Sequence, residues 1–337
     1  MNTKLLRSLI LLVVMLAIAL PPMQAQQKIA QTGMKFLNVG TDPRSVALGE
    51  AMTSVEGNSS AMFFNPAAMA RLQGLGHVSV GQAKWIADIN HNFGSVAVSP
   101  EGGDYGVFGV FLQSVDYGDF EGTIIYPNAD GFLDIGTFSP KAFMIGIGYA
   151  RAFSDKFSLG GNVKFVSQDL GAAVTSQDTL GNRVTSSNST DVPAFDFGIL
   201  YKTGFKSLNF GMTVRNFARE VRYVDEGFQL PLTFKIGLSM NMLDILDINK
   251  EENSFLLSID AEHPRDFQEQ IRVGGEYVFM NQFAFRVGYV TPTDEQGISL
   301  GVGVRQSIAG TTLGLDYAYT EFGIFDQVHR FSFQFGF

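Results

Sequence analysis

From Gly76 onward, apolar residues alternate with small or polar ones at period two. Phe157, Leu159, Val163 and Phe165 alternate with Ser158, Gly160, Asn162 and Lys164. Leu232, Phe234, Ile236 and Leu238 alternate with Thr233, Lys235, Gly237 and Ser239. The chain ends on HRFSFQFGF, with Phe331, Phe333, Phe335 and Phe337 on every second position. Period two is the β-strand period, because successive side chains point to opposite faces. About fourteen such segments are present, beginning near Gly76, Asn90, Asp104, Pro140, Lys156, Val192, Ser207, Pro231, Ser254, Glu269, Gln282, Gly297, Gly310 and Gln327. Each is roughly 9–11 residues long, the length a tilted strand needs to cross a bilayer.

The connections sort by length. Tight ones (99–103, 153–155, 203–206, 280–281, 307–309) alternate with long ones at 115–139, 169–191 and 217–230, and 241–253 is a longer member of the tight set. Short turns at one end and long loops at the other mark an outer-membrane barrel, and a soluble sandwich has no reason to sort its loops this way. One face of the strands is nearly pure Phe, Leu, Ile, Val, Met and Tyr. The other carries Gly, Ser, Thr and Asn with charges of both signs: Lys164, Asp196, Arg215, Lys235, Asp260, Arg272, Glu276, Arg286, Arg305 and Asp316. In a barrel the apolar face meets lipid and these charges form a paired network in the lumen. The many inward glycines imply that something packs closely inside.

The stretch from Gln26 to Gly74 does not read as strand. Asp42-Pro43 is a helix start, with Asp as N-cap and Pro in the first turn, and a small-residue helix is expected over Val46 to Val55. Asn65-Pro66-Ala67 repeats that grammar for a second helix, to Leu72, stopped at Gly74. Two short helices here are expected to plug the periplasmic mouth as a hatch.

Composition sharpens the picture. Charged residues are 17% of 337, against roughly 25% in typical soluble chains. There is no Cys, so disulfides, thiolate metal sites and Cys nucleophiles are excluded. The net charge of −9 disfavours nucleic acid as a partner. Lys4 and Arg7 precede an apolar run from Leu9 to Leu20, too short to span a bilayer, and Met23-Gln24-Ala25 offers a cleavage site, so a secretory signal peptide is expected. The expectation is an all-β chain: a transmembrane antiparallel β-barrel of about 14 strands with a short N-terminal helical hatch. It divides into 1–25 signal peptide, 26–74 hatch and 75–337 barrel, and it belongs in the outer membrane of a diderm bacterium, against outer-membrane lipid.

The segment FLNVGTDPRSVALGEAMTSVEGNSSAMFFNPAAMARL (Phe36 to Leu72) resembles the N-terminal part of the PorV/PorQ family, itself similar to the FadL fatty-acid transporter. SVDYGDFEGT (Ser114 to Thr123) and YARAFSDKFSLGGNVKFVSQDLG (Tyr149 to Gly171) resemble the same family. The resemblance implies a role in type IX secretion and surface attachment. The partners it implies are secreted proteins carrying C-terminal sorting domains, which such a barrel binds or shuttles, and other secretion-system components. The alternative is a FadL-like channel for hydrophobic small molecules.

The partner-docking candidates lie in the first long loop: Tyr117, Phe120, Ile124, Ile125, Tyr126, Phe132 and Phe138. They either dock a partner or cover the barrel mouth. His77, His91, His263 and His329 are scattered without catalytic or metal spacing. No enzyme activity, cofactor or metal is expected.

Overall fold

The computed structural model describes residues 32–177, 183–223, 226–246 and 252–337. The expected signal peptide lies outside them. Fourteen antiparallel strands form a closed barrel. In chain order they are Gly76–Lys84, Asn90–Val98, Val107–Asp116, Lys141–Ala152, Phe157–Gln177, Arg183–Lys202, Asn209–Ala218, Thr233–Asn241, Ser254–Pro264, Gln270–Phe279, Phe283–Thr291, Ser299–Ile308, Thr311–Thr320 and Val328–Gly336. The first strand pairs with the last, from His77 opposite Gly336 to Lys84 opposite His329. Closure leaves no strand edge with unpaired backbone groups, which hydrocarbon would not satisfy.

The faces are inside out relative to a soluble sheet. Phe331 and Phe333 are 49% and 44% exposed on the outer wall, whereas Ser332 and Gln334 between them are buried. Thirteen of the expected segment starts fall within a few residues of a barrel strand. The exception is Val192, because the sixth strand begins at Arg183.

The expected long loop at 169–191 is therefore corrected. The fifth and sixth strands run past the others, at 21 and 20 residues, and continue most of that stretch as a hairpin. Register shifts at Asp169/Ala172 and Val174/Ser176 break the alternation there. The hairpin's residues are mostly Ser, Thr, Asn, Asp and Gly, so no apolar period marks it in the sequence. The loop at 115–139 also contains structure, a two-stranded ribbon of Phe120–Ile125 and Phe132–Phe138.

The N-terminal segment is threaded through the barrel, which corrects the expected plug at the periplasmic mouth. It starts at the long-loop end, where Gly33 N–H donates to Gln229 O (3.1 Å). It leaves at the short-turn end, where Arg71 donates to Ser154 O (2.7 Å) and Leu75 to Phe337 O (2.6 Å). Asp42 caps the helix Pro43–Ala47 by accepting from Ser45 N–H (2.8 Å). That helix stops well before the expected Val55. Gly49 takes a left-handed φ of +62° with its backbone against that of Tyr289, so a continuing helix would run into the wall. Two 3-10 turns follow, Ser59–Phe63 and Pro66–Arg71, the second capped by Asn65.

Candidate functional site

The lumen is built for backbone contact. A Cβ on Gly160 would lie 2.5 Å from Ala67 N, and one on Gly288 would collide with the backbone of Leu48 and Gly49. Inward glycines thus let the threaded segment touch the wall without intervening side chains. Asn65 of the Asn65-Pro66-Ala67 motif latches the contact. Its Nδ2 donates to Thr53 O (2.6 Å) and to Ile199 O (3.0 Å), while its Oδ1 accepts from Ala67 N–H (3.1 Å).

The two sides of the lumen differ chemically. Against the second to fourth strands the contact is apolar: Phe63 meets Phe93 and Phe111 edge-on at 5.8 and 5.3 Å, and Met62 and Met144 join the same cluster. Against the eighth to thirteenth strands it is ionic. Arg44 donates from Nη2 and Nε to the two oxygens of Glu276 (2.7 and 2.9 Å). Arg286 joins Glu276 and Asp316, each at 2.5 Å. Lys235 pairs with Glu262 at 3.0 Å, Arg272 pairs with Glu262 more closely still, and Glu50 of the threaded segment lies 3.9 and 3.7 Å from these two cations. Lys164 and Asp196 pair at 2.7 Å between the fifth and sixth strands. Asp260 accepts from Thr53 N–H (3.0 Å), and Arg215 donates to Leu37 O (3.3 Å). Nine of the ten charges read from the sequence thus hold one another or the threaded segment. The tenth, Arg305, faces the lumen with no ion pair or side-chain hydrogen bond among the described residues.

Sequence reasoning missed Arg44, Glu50, Glu262, Asn216 and Arg330. Glu262 carried a usable signal, since it lies two positions from Asp260 and so on the same face. Arg330 sits in phase with Ser332 and Gln334. It is 2% exposed, donates to Gly40 O (2.8 Å) and lies over Trp85 at 5.2 Å. Asn216 had no such signal. It occupies a bulge, with φ +59°, and there accepts from Lys164 Nζ (2.6 Å).

Two voids beside the threaded segment, about 20 and 10 Å³, hold a single water each at most, and a larger cavity of about 450 Å³ lies at the short-turn mouth. At the start of the threaded segment, Lys35 pairs with Asp266, and burial lowers the pKa of the lysine. Burial raises the carboxyl pKa of Asp42, against the lowering by the Ser45 N–H. Burial also opposes the charge on Arg44, but Glu276 outweighs it and raises the guanidinium's pKa.

The seven docking candidates divide. Tyr117 covers the mouth: Gln168 donates to its hydroxyl (3.2 Å), and Tyr223 donates to Gln168 (2.7 Å). Burial pushes the Tyr223 hydroxyl up to about 12, and its ring stacks on Phe228 at 5.1 Å. The other six belong to the ribbon or flank it. Phe120 stacks on Phe138 (5.8 Å), and Phe138 lies against Gly171 of the neighbouring hairpin. Ile124 is half-buried and Tyr126 exposed, while Ile125 and Phe132, paired across the ribbon, are 96% and 51% exposed. The four histidines go to separate partners: Ser59, Gln113, Glu269 and Tyr317. Among the described residues no group of three or more His, Asp or Glu is placed to hold a metal ion.

Comparison with known proteins places this architecture. A family model described as "Type IX secretion system membrane protein PorP/SprF" matches residues 122–335. That is well over half of the chain, and the chain belongs to this family. The secretion system is the one the sequence resemblance pointed to, although the matched family bears a different name from PorV/PorQ. No match was found among curated proteins.

Among solved structures the chain is similar to the Pseudomonas putida toluene transporter TodX, with TM-score 0.57 and 12% identity over 92% of this chain and 98% of that one. It is also similar to the CymD monoaromatic hydrocarbon channel, with TM-score 0.52 and 12% identity over 90% and 97%. A Pseudomonas aeruginosa FadL homologue gives TM-score 0.50 and 16% identity over 88% and 98%. These likenesses establish a FadL-like outer-membrane fold.

Proposed function

We propose that this PorP/SprF-family barrel serves type IX secretion by binding, through its outer crest, a secreted protein carrying a C-terminal sorting domain or another secretion-system component. It presents that partner for surface attachment, in the manner the PorV/PorQ resemblance implies, and catalyses nothing. One observation carries the reading: the threaded segment occupies the lumen, while the ribbon at 120–138 leaves Ile125 and Phe132 uncovered. Exposed apolar groups outside the membrane face mark interaction surfaces. Between residues 117 and 140 the charged side chains are Asp119, Glu121, Asp130 and Asp134, so the partner's face is expected to be basic. The test is capture from native outer membranes by the tagged wild-type chain and by a chain with 120–138 replaced by a short Gly-Ser linker. Loss of a cargo or secretion-system protein from the second sample supports the proposal. Undiminished capture defeats it.

A second reading, a channel for hydrophobic small molecules, is favoured by the apolar side of the lumen at Phe93, Phe111 and Met144. The solved structures with this fold include a toluene transporter and a monoaromatic hydrocarbon channel. It requires the threaded segment to move. Liposome uptake of toluene by the purified protein, without added partners, would support it over the docking role.

A further inference from the structure

One cation near Arg286 is left without an ion pair. Three guanidiniums, Arg44, Arg286 and Arg305, lie near Glu276 and Asp316, while Asp42, the third carboxylate of the cluster, caps its own helix. All four oxygens of Glu276 and Asp316 are already engaged. Glu276 Oε1 accepts from Arg44 Nη2, and its Oε2 accepts from Arg44 Nε and Arg286 Nε. Asp316 Oδ1 accepts from Arg286 Nη1, and its Oδ2 accepts from Gln334 Nε2 (2.7 Å). Arg305 is the guanidinium left with no ion pair among the described residues. It faces a cavity of about 450 Å³ at the short-turn mouth, between the threaded segment and the last three strands.

That cavity is polarised. Arg71 lines it beside Arg44 and Arg305. The one side-chain carboxylate in its lining, Glu56, is held by Lys202 at 2.5 Å and faces Arg71 at 4.0 Å. Leu72 and Phe337 add apolar wall. The volume exceeds what a lone ion needs and falls in the range of small-molecule sites, roughly 300–1,000 Å³. A cleft lined by one sign of charge with low-dielectric walls concentrates the opposite charge.

We infer that this cavity is an anion site, taking one small molecule with a carboxylate or phosphate group set against Arg305. It opens at the end opposite the outer crest, and the inference stands whether or not the crest docks a partner.

The test is titration calorimetry on the full detergent-solubilised protein with sodium hexanoate, inorganic phosphate and the neutral control hexanol. Hexanoate or phosphate is expected to bind while hexanol does not, and which anion binds more tightly separates a carboxylate from a phosphate ligand. Arg305→Gln is expected to weaken binding about tenfold or more. It breaks no ion pair among the described residues, so the barrel is expected to fold, which its heat-modifiable gel mobility checks. Thr312→Phe, which fills the cavity without changing charge, is expected to weaken binding as well. Absence of binding by both anions at millimolar concentration overturns the assignment. So does unchanged affinity in either variant.

Discussion

Arg44 of the threaded segment and Glu276 of the tenth strand are 232 positions apart in sequence, yet two hydrogen bonds of 2.7 and 2.9 Å join them in the lumen. Glu276 is buried and Arg44 partly so, and Glu276 also holds Arg286. The pair ties the threaded segment to the wall at the middle of the ionic side, so its loss has a readable consequence.

Arg44→Met is expected to destabilise the folded barrel by about 1.5–3 kcal/mol, the worth of hydrogen bonds to a charged group. Arg286 remains to hold Glu276, which keeps the loss below that of a fully orphaned buried charge. Urea unfolding in lipid vesicles measures this. A double-mutant cycle with Glu276→Gln should return a coupling well above zero, and additive losses would mean that the contact carries no energy.

Gly160→Leu adds a side chain where Ala67 N would lie 2.5 Å from its first carbon. The strand itself tolerates leucine, so the barrel is expected to assemble while the segment at Asn65 to Ala67 is displaced. Planar-bilayer recordings should then show raised ion conductance over the wild-type protein. An unchanged, closed trace would mean that the segment is not what seals the lumen.

Asp42 tests the cap and its charge together. Its carboxyl pKa is raised in the folded chain, chiefly by burial, so the native state holds the proton more tightly than the unfolded chain. The stabilisation this gives is fully present below the ordinary carboxylate range and is lost as pH rises through the raised value. Asn caps a helix about as well as Asp. Asp42→Asn is therefore expected to gain stability relative to wild type as pH rises from 4 to 8. A difference that does not change with pH would contradict the burial argument.

The inside-out wall makes a lipid-specific prediction. Phe333 is exposed midway along the last strand. Phe333→Arg should cost about 2–4 kcal/mol of folding free energy in vesicles, the penalty for a cation on the lipid face near the midplane. The cost should shrink in detergent micelles, where the side chain reaches water. Equal costs in both media would place this face away from acyl chains.

At the crest, Ile125→Asp with Phe132→Asp should leave barrel assembly and heat-modifiable mobility unchanged, because both side chains are exposed. Capture of the secretion partner should fall by about tenfold, equivalent to ~1.4 kcal/mol. Full capture would move the docking surface elsewhere.

The sequence by itself determined the strand period, thirteen of the strand starts and which strand face turns outward. These are local properties, because alternation is fixed by neighbouring residues. It also marked Asp42 and Asn65, because caps bond to backbone only two or three positions away. The tertiary structure alone decided that the N-terminal segment runs through the lumen, and which charges meet there. Arg44 finds Glu276, Glu50 nears Lys235 and Arg272, and Arg305 makes no ion pair among the described residues, because barrel closure and threading bring together residues hundreds of positions apart. A bulge turned Asn216 into the lumen, and the polar hairpin beyond Asp169 left no apolar period to read. Where a choice depends on which strands close on which, the side-chain pattern along one strand carries no information about it.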